Sequence, residues 1–139
     1  GPQAFTRQLV EKSGYFVVQI PVVSQMATVL YAGGRSYADA PDKNDTIPFF
    51  YQPEFDLPLV AGCAGWLVCK VMPYPDIQQQ HNLFMGDIIA AWSDDRVFRN
   101  GLWIFDDAPD ELRTVHYVAG GQFYAIGKGS KFEHGPGQD

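Results

Sequence analysis

Apolar positions change period along this chain, from helical spacing near its start to extended runs later. Between Ala4 and Ser13, Phe5, Leu9 and Val10 recur at helical spacing, with Arg7, Gln8, Glu11 and Lys12 on the outer side. Gly14 stands where it can end that helix. The run Tyr15 to Ile20 is β-branched and aromatic, is apolar on most of both faces and stops at Pro21, which predicts a strand buried on both sides. Ser24 is then placed to cap a second short helix through Tyr31, terminated by Gly33-Gly34.

From Arg35 to Asp56 the density of Asp, Asn and Pro predicts a long irregular excursion, the kind of loop that often serves a site. Beyond it the pattern turns to strands: Leu59 to Met72, Asn82 to Trp92, Leu102 to Phe105 and Gln122 to Ile126. Gly62 and Gly65 inside the first of these predict a bulge or a sharp bend. Helices first and strands afterwards give a β-rich α+β domain, with barrel closure as the way to protect the sheet edges.

A chain of 139 residues, 46% hydrophobic, can bury one core but not two. Its net charge of −6, with no basic patch, disfavours nucleic acid and anionic membrane surfaces as partners. The longest apolar run, Leu57 to Cys69, is interrupted by Pro and Gly and is shorter than the roughly 20 residues that span a bilayer. A cytoplasmic protein is expected. Cys63 and Cys69 are six residues apart in an extended segment, about 20 Å at strand rise, so they should be free, buried thiols. Gly1-Pro2 resembles the remnant of a cleaved tag, so the domain is expected to run from 3 to 128, with a flexible tail over 129–139.

His81, His116 and His134 show no metal-ligand spacing to one another or to a cysteine, and no metal site is expected. Neither a phosphate-binding glycine loop nor a nucleophile elbow is present. Asp94-Asp95 and Asp106-Asp107 read as solvated turns. Catalysis by this chain would therefore fall to an organic cofactor.

Four segments in order carry a resemblance: Ser13 to Pro21; His81-Asn82-Leu83-Phe84-Met85-Gly86 leading to Trp92; Arg113-Thr114-Val115-His116; and Gly120-Gly121-Gln122-Phe123-Tyr124 to Gly127. Together they are similar to the flavin reductase-like family, and most to its flavoredoxin branch. The resemblance implies an FMN-binding split β-barrel with short peripheral helices, working as a homodimer, with NADH or NADPH as electron donor.

It implies site residues too. Thr6 matches a threonine at a helix start, where a hydroxyl and free N–H groups suit a flavin phosphate. His81 matches the histidine leading the family's central strand and is the catalytic candidate, an imidazole able to donate a hydrogen bond beside the flavin or nicotinamide. Phe123 matches an aromatic after a glycine pair. Since neighbouring strand residues face opposite ways, only one of Phe123 and Tyr124 can line a given cavity. Phe5 and Asn82 join the cofactor candidates as neighbours of Thr6 and His81, and Lys43 as a possible phosphate partner in a turn. Trp92 reads as core or dimer contact.

The family sets further strands, bearing part of the flavin-binding backbone, ahead of this helix; the sequence opens at the helix, so an incomplete flavin site is expected. Three functions follow from the resemblance: an FMN-dependent, NAD(P)H-oxidising flavin reductase; a flavoredoxin-like carrier that retains FMN and passes electrons to a protein partner; or a cofactor-free split-barrel interaction module.

Overall fold

The structure, a computed structural model, describes residues 5–34 and 47–135. Helix α1 spans Phe5–Ser13 and ends where Gly14, at φ +77°, donates its N–H to the Val10 carbonyl at 2.9 Å. Only a residue without a Cβ takes that left-handed turn freely, which is why the helix stops there. Strand β1 (Tyr15–Ile20) follows at once. A 3-10 turn, Val23–Gln25, leads into α2 (Met26–Gly34). Ser24 lies inside that turn and does not cap α2. The buried Gln25 takes the organising role: its Oε1 accepts the Val22 N–H at 3.1 Å and its Nε2 donates to the Ala61 carbonyl at 3.0 Å.

The remaining elements are β2 (Phe49–Phe50), β3 (Leu59–Val60), β4 (Gly65–Val71), α3 (Pro75–His81), β5 (Gly86–Ser93), β6 (Phe98–Arg99), β7 (Leu102–Trp103), a 3-10 turn at Asp110–Leu112, β8 (Val115–Ala119) and β9 (Gln122–Ala125). The principal sheet is antiparallel in the order β1-β4-β5, and β2-β3, β6-β7 and β8-β9 form three two-stranded ribbons. The central strand β4 is the most buried of the sheet, whereas β1 lies at its edge and leaves Val18 44% exposed. β1 is thus covered less than its two apolar faces suggest.

Two differences from the sequence pattern matter. The run Leu59 to Met72 is not one strand: Gly62, at φ +95°, turns the chain between β3 and β4. The bulge falls on β5 instead, where Val68 faces Ala90 and Cys69 faces Ile88, leaving Ile89 without an opposite residue. Asn82 to Trp92 is likewise shortened, because residues 75–81 form a helix and the strand begins at Gly86. Pro75 fits the first helical turn, where its missing N–H has no partner to lose, and Asn82 ends the helix in the left-handed conformation at φ 51°.

Two apolar clusters form the core. Leu59, Cys63 and Trp66 pack with Val17, Phe50, Val60 and Trp92, while Val22, Ala64 and Val97 pack with Ile20, Phe105, Ala108 and Leu112. Trp66 donates its indole N–H to the Val60 carbonyl at 2.9 Å, and Gln19 Oε1 accepts the Val60 N–H at 2.7 Å, so β3 is held on the sheet through polar groups that burial would otherwise penalise. Cys63 and Cys69 are buried and free. Burial pushes both thiols above their ordinary pKa, offset at Cys63 by a hydrogen bond with Gln25.

Candidate functional site

Helix α1 is fastened to the end of α3 by one side chain. Arg7 Nη1 donates to Asn82 Oδ1 at 2.7 Å, Nη2 donates to the Gln78 carbonyl at 2.9 Å, and Nε donates to Glu11 Oε1 at 2.7 Å. The guanidinium also stands 5.8 Å from the centroid of the Phe84 ring, within cation–π range. Its side chain is only 10% exposed, so Arg7 faces a neighbouring element and not solvent as the helical pattern implied.

This fastening sets which elements carrying candidates are joined. Thr6 precedes Arg7 in the first turn of α1 and is exposed; His81 precedes Asn82 at the end of α3 and is exposed. The Arg7–Asn82 bond therefore joins the first turn of α1 to the end of α3, and no described contact joins the Thr6 and His81 side chains to each other or to Asn82. His81 does not lead into a strand directly: it closes α3, five positions before β5 starts at Gly86. Phe5 belongs to α1, but its side chain lies outside the described atoms, and Lys43 lies outside the described residues altogether.

Phe123 sits elsewhere. It is half-buried on β9 with its ring 5.0 Å from that of Tyr117, and Tyr124 beside it is 63% exposed on the opposite face. The β8-β9 hairpin turns through Gly120 and Gly121, at φ +60° and +84°, as a two-residue primed turn requires. It is anchored through the Val22–Thr114 bridge, beyond the end of β1 opposite to α1. No described hydrogen bond or ring contact joins Phe123 to Thr6, His81 or Asn82.

Arg113 explains its own motif. It donates to Asp110 Oδ1 at 3.1 Å and to the Ile126 and Gly127 carbonyls at 3.3 and 2.9 Å, and reaches Asp106 at 3.5 Å, so it ties the segment after β9 to the 3-10 turn. A cleft of about 680 Å³ lies beside this tie, lined by Trp103, Phe105, Asp106 and residues 126–131. A smaller apolar pocket of about 230 Å³ opens between the main sheet and the β6-β7 ribbon, walled by Trp66, Trp92, Phe98 and Trp103.

Among the described residues, no cluster of three or more His, Cys, Asp or Glu could hold a metal ion, and no helix is long and apolar enough to cross a membrane. The Arg7 guanidinium can only donate, so it engages the carbonyl oxygen of Asn82 and leaves the Asn82 NH2 without a described partner. The carboxylate of Glu11 is occupied by Arg7.

The flavin reductase like domain model matches residues 1–113, a span that takes in Gly1 and Pro2. The uncharacterized protein YddH of Escherichia coli (strain K12) is 36% identical over 126 residues, 89% of this chain and 66% of its own length. The chain thus spans slightly less than two thirds of that relative. The crystal structure of an FMN-binding domain of a flavin reductases-like enzyme from Shewanella baltica OS155 is similar at TM-score 0.90 and 44% identity, over 94% of this chain and 70% of that one. Flavoredoxin of Desulfovibrio vulgaris (Miyazaki F) shares the fold at TM-score 0.74 and 21% identity, over 98% and 72% of the respective chains. The fold is the split β-barrel of these proteins, strand-rich with a few short helices.

Proposed function

The chain belongs to the flavin reductase-like domain family, and on that premise we propose that it binds FMN and serves as an NAD(P)H-dependent flavin reductase. The observation that carries this reading is the 44% identity and TM-score of 0.90 to a structure described as an FMN-binding domain. The candidate residues can serve the group: Thr6 and the Asn82 NH2 are able to donate to its phosphate, and the Glu11 carboxylate is occupied by Arg7. When bound, FMN supplies the redox chemistry, accepting hydride from a reduced nicotinamide.

The protein's own part is binding and orientation. The exposed imidazole of His81 would hydrogen-bond the flavin or the nicotinamide and hold the two in register. Phe123, by contrast, would reach a flavin held by these residues only from a second copy. The reading therefore includes a homodimer, supported by the exposed apolar side chains Ile88, Ile89, Leu102, Trp103, Tyr117 and Tyr124, which one chain leaves in water.

NADH and NADPH oxidation by the intact protein with excess FMN tests the activity, and sustained turnover is expected. A protein that retains FMN but turns over slowly is the flavoredoxin-like carrier instead, its electrons passing to a partner protein. A dimer that binds no flavin is an interaction module.

A further inference from the structure

We propose that the cleft of about 680 Å³ beside Arg113 is a binding site for a planar aromatic carboxylate, separate from the flavin-binding residues named above. Its volume lies within the range of about 300–1,000 Å³ common to small-molecule sites. Both walls are set by contacts inside the chain. On one side Trp103 and Phe105 are stacked, their planes 2° apart and their ring centroids 5.8 Å apart. Trp103 is 44% exposed, which leaves aromatic surface open to a ligand ring. The other wall is the segment 126–131: Arg113 holds the Ile126 and Gly127 carbonyls, and the Gly129 N–H donates to Asp106 Oδ1 at 3.5 Å. A ligand thus meets walls already fastened to each other, and binding need not order a loop.

Charge selects the other end of the ligand. Lys128 and Lys131 line the cleft without an ion-pair partner among the described residues, whereas Arg96, Arg99 and Arg113 each have one. The one carboxylate of the lining, Asp106, is engaged by Arg113 at 3.5 Å and by the Gly129 N–H. Two ammonium groups against one carboxylate leave a positive balance in the cleft, although the whole chain carries a net charge of −6. That single surplus charge matches a monoanion. A carboxylate carries one negative charge at neutral pH, and a phosphate monoester carries nearly two.

Titration of the intact protein with 1-naphthoate tests this, with calorimetry for affinity and tryptophan fluorescence for location. Saturable binding of one probe per chain is expected, and the neutral 1-naphthalenemethanol and the saturated cyclohexanecarboxylate should each bind about tenfold more weakly or worse. Lys128→Met/Lys131→Met should weaken 1-naphthoate about tenfold while leaving 1-naphthalenemethanol within about twofold. Both lysines are exposed, so this variant should fold as the parent does. In Trp103→Phe, which keeps an aromatic ring, the fluorescence quenching should vanish while the calorimetric affinity stays within about threefold. Saturating FMN should leave 1-naphthoate binding unchanged. The proposal is overturned by absence of saturable binding, by displacement of the probe with FMN, or by quenching that survives in Trp103→Phe. Parental affinity in the lysine variant would place the ring instead in the apolar pocket between Trp66 and Trp92, which no lysine lines, and would overturn it too. Tighter binding of 1-naphthyl phosphate than of 1-naphthoate would overturn the assignment of a carboxylate.

Discussion

The Phe16 ring lies over Gly86, so close that a Cβ on that glycine would stand 2.8 Å from the Cε1 and Cζ atoms of the ring and 3.0 Å from the Cβ of Cys69. An aromatic on β1 thereby covers a bare position at the start of β5 across the intervening strand. Gly86→Ala must push the ring or the strand aside and should destabilise the fold by about 1–3 kcal/mol, the usual cost of overpacking. Chemical denaturation reads this, and Phe16→Leu should recover part of the loss. An unchanged midpoint in Gly86→Ala would mean the ring does not rest there.

Stability should decline on both sides of neutrality for identifiable reasons. Burial raises the Cys63 and Cys69 thiols above their ordinary value, so the unfolded chain ionises first. Their contribution is whole below about pH 8.5 and is lost as pH rises through the folded-state values. On the acid side, hydrogen bonds from Arg96 hold the Asp94 carboxyl below its usual range, a contribution present above the unfolded pKa and lost as pH falls through the lowered one. Denaturation midpoints against pH should show the alkaline fall in the parent and a smaller one in Cys63→Ala/Cys69→Ala. Alkylation at about pH 8 should label both thiols only after unfolding.

Arg113→Lys keeps the charge but not the fork that reaches Asp110 and two carbonyls at once. The segment from Gly127 onward should then become more sensitive to proteolysis while the melting temperature of the body shifts little. Equal resistance in parent and variant would show that the tie is not what holds this segment.

At the proposed site the two exposed candidates should separate by kinetic signature. Thr6→Ala should weaken FMN binding about tenfold with riboflavin unaffected. His81→Gln should leave FMN affinity within about twofold while lowering turnover with NAD(P)H about tenfold or more. A His81 variant with parental turnover would remove it from the reaction.

Much of this was legible in the sequence where a local physical rule operates. Gly14 ends α1, Tyr15 to Ile20 forms a strand, Gly120-Gly121 makes a turn, and Phe123 and Tyr124 face opposite ways, since these follow from chirality and strand geometry, whereas β8 ahead of that turn was not foreseen. α3 was missed because Asp76, Gln78, Gln79 and Gln80 leave only Ile77 as an apolar residue before His81, so no helical stripe exists to be seen. Pro75 and Asn82 were the available signals. The β6-β7 ribbon hid behind strands of two residues, although Asn100-Gly101, at φ 52° and 77°, is the composition its turn demands. The role of Arg7 was beyond reach, because its deciding partner, Asn82, lies 75 positions away.

The measurement that bears most directly on the account is an equilibrium titration of the intact protein with FMN, followed by flavin fluorescence, with Thr6→Ala in parallel. Saturable binding of one FMN per chain, weakened in the variant, is the predicted result; fluorescence that rises linearly with added FMN, as it would in buffer alone, would contradict it.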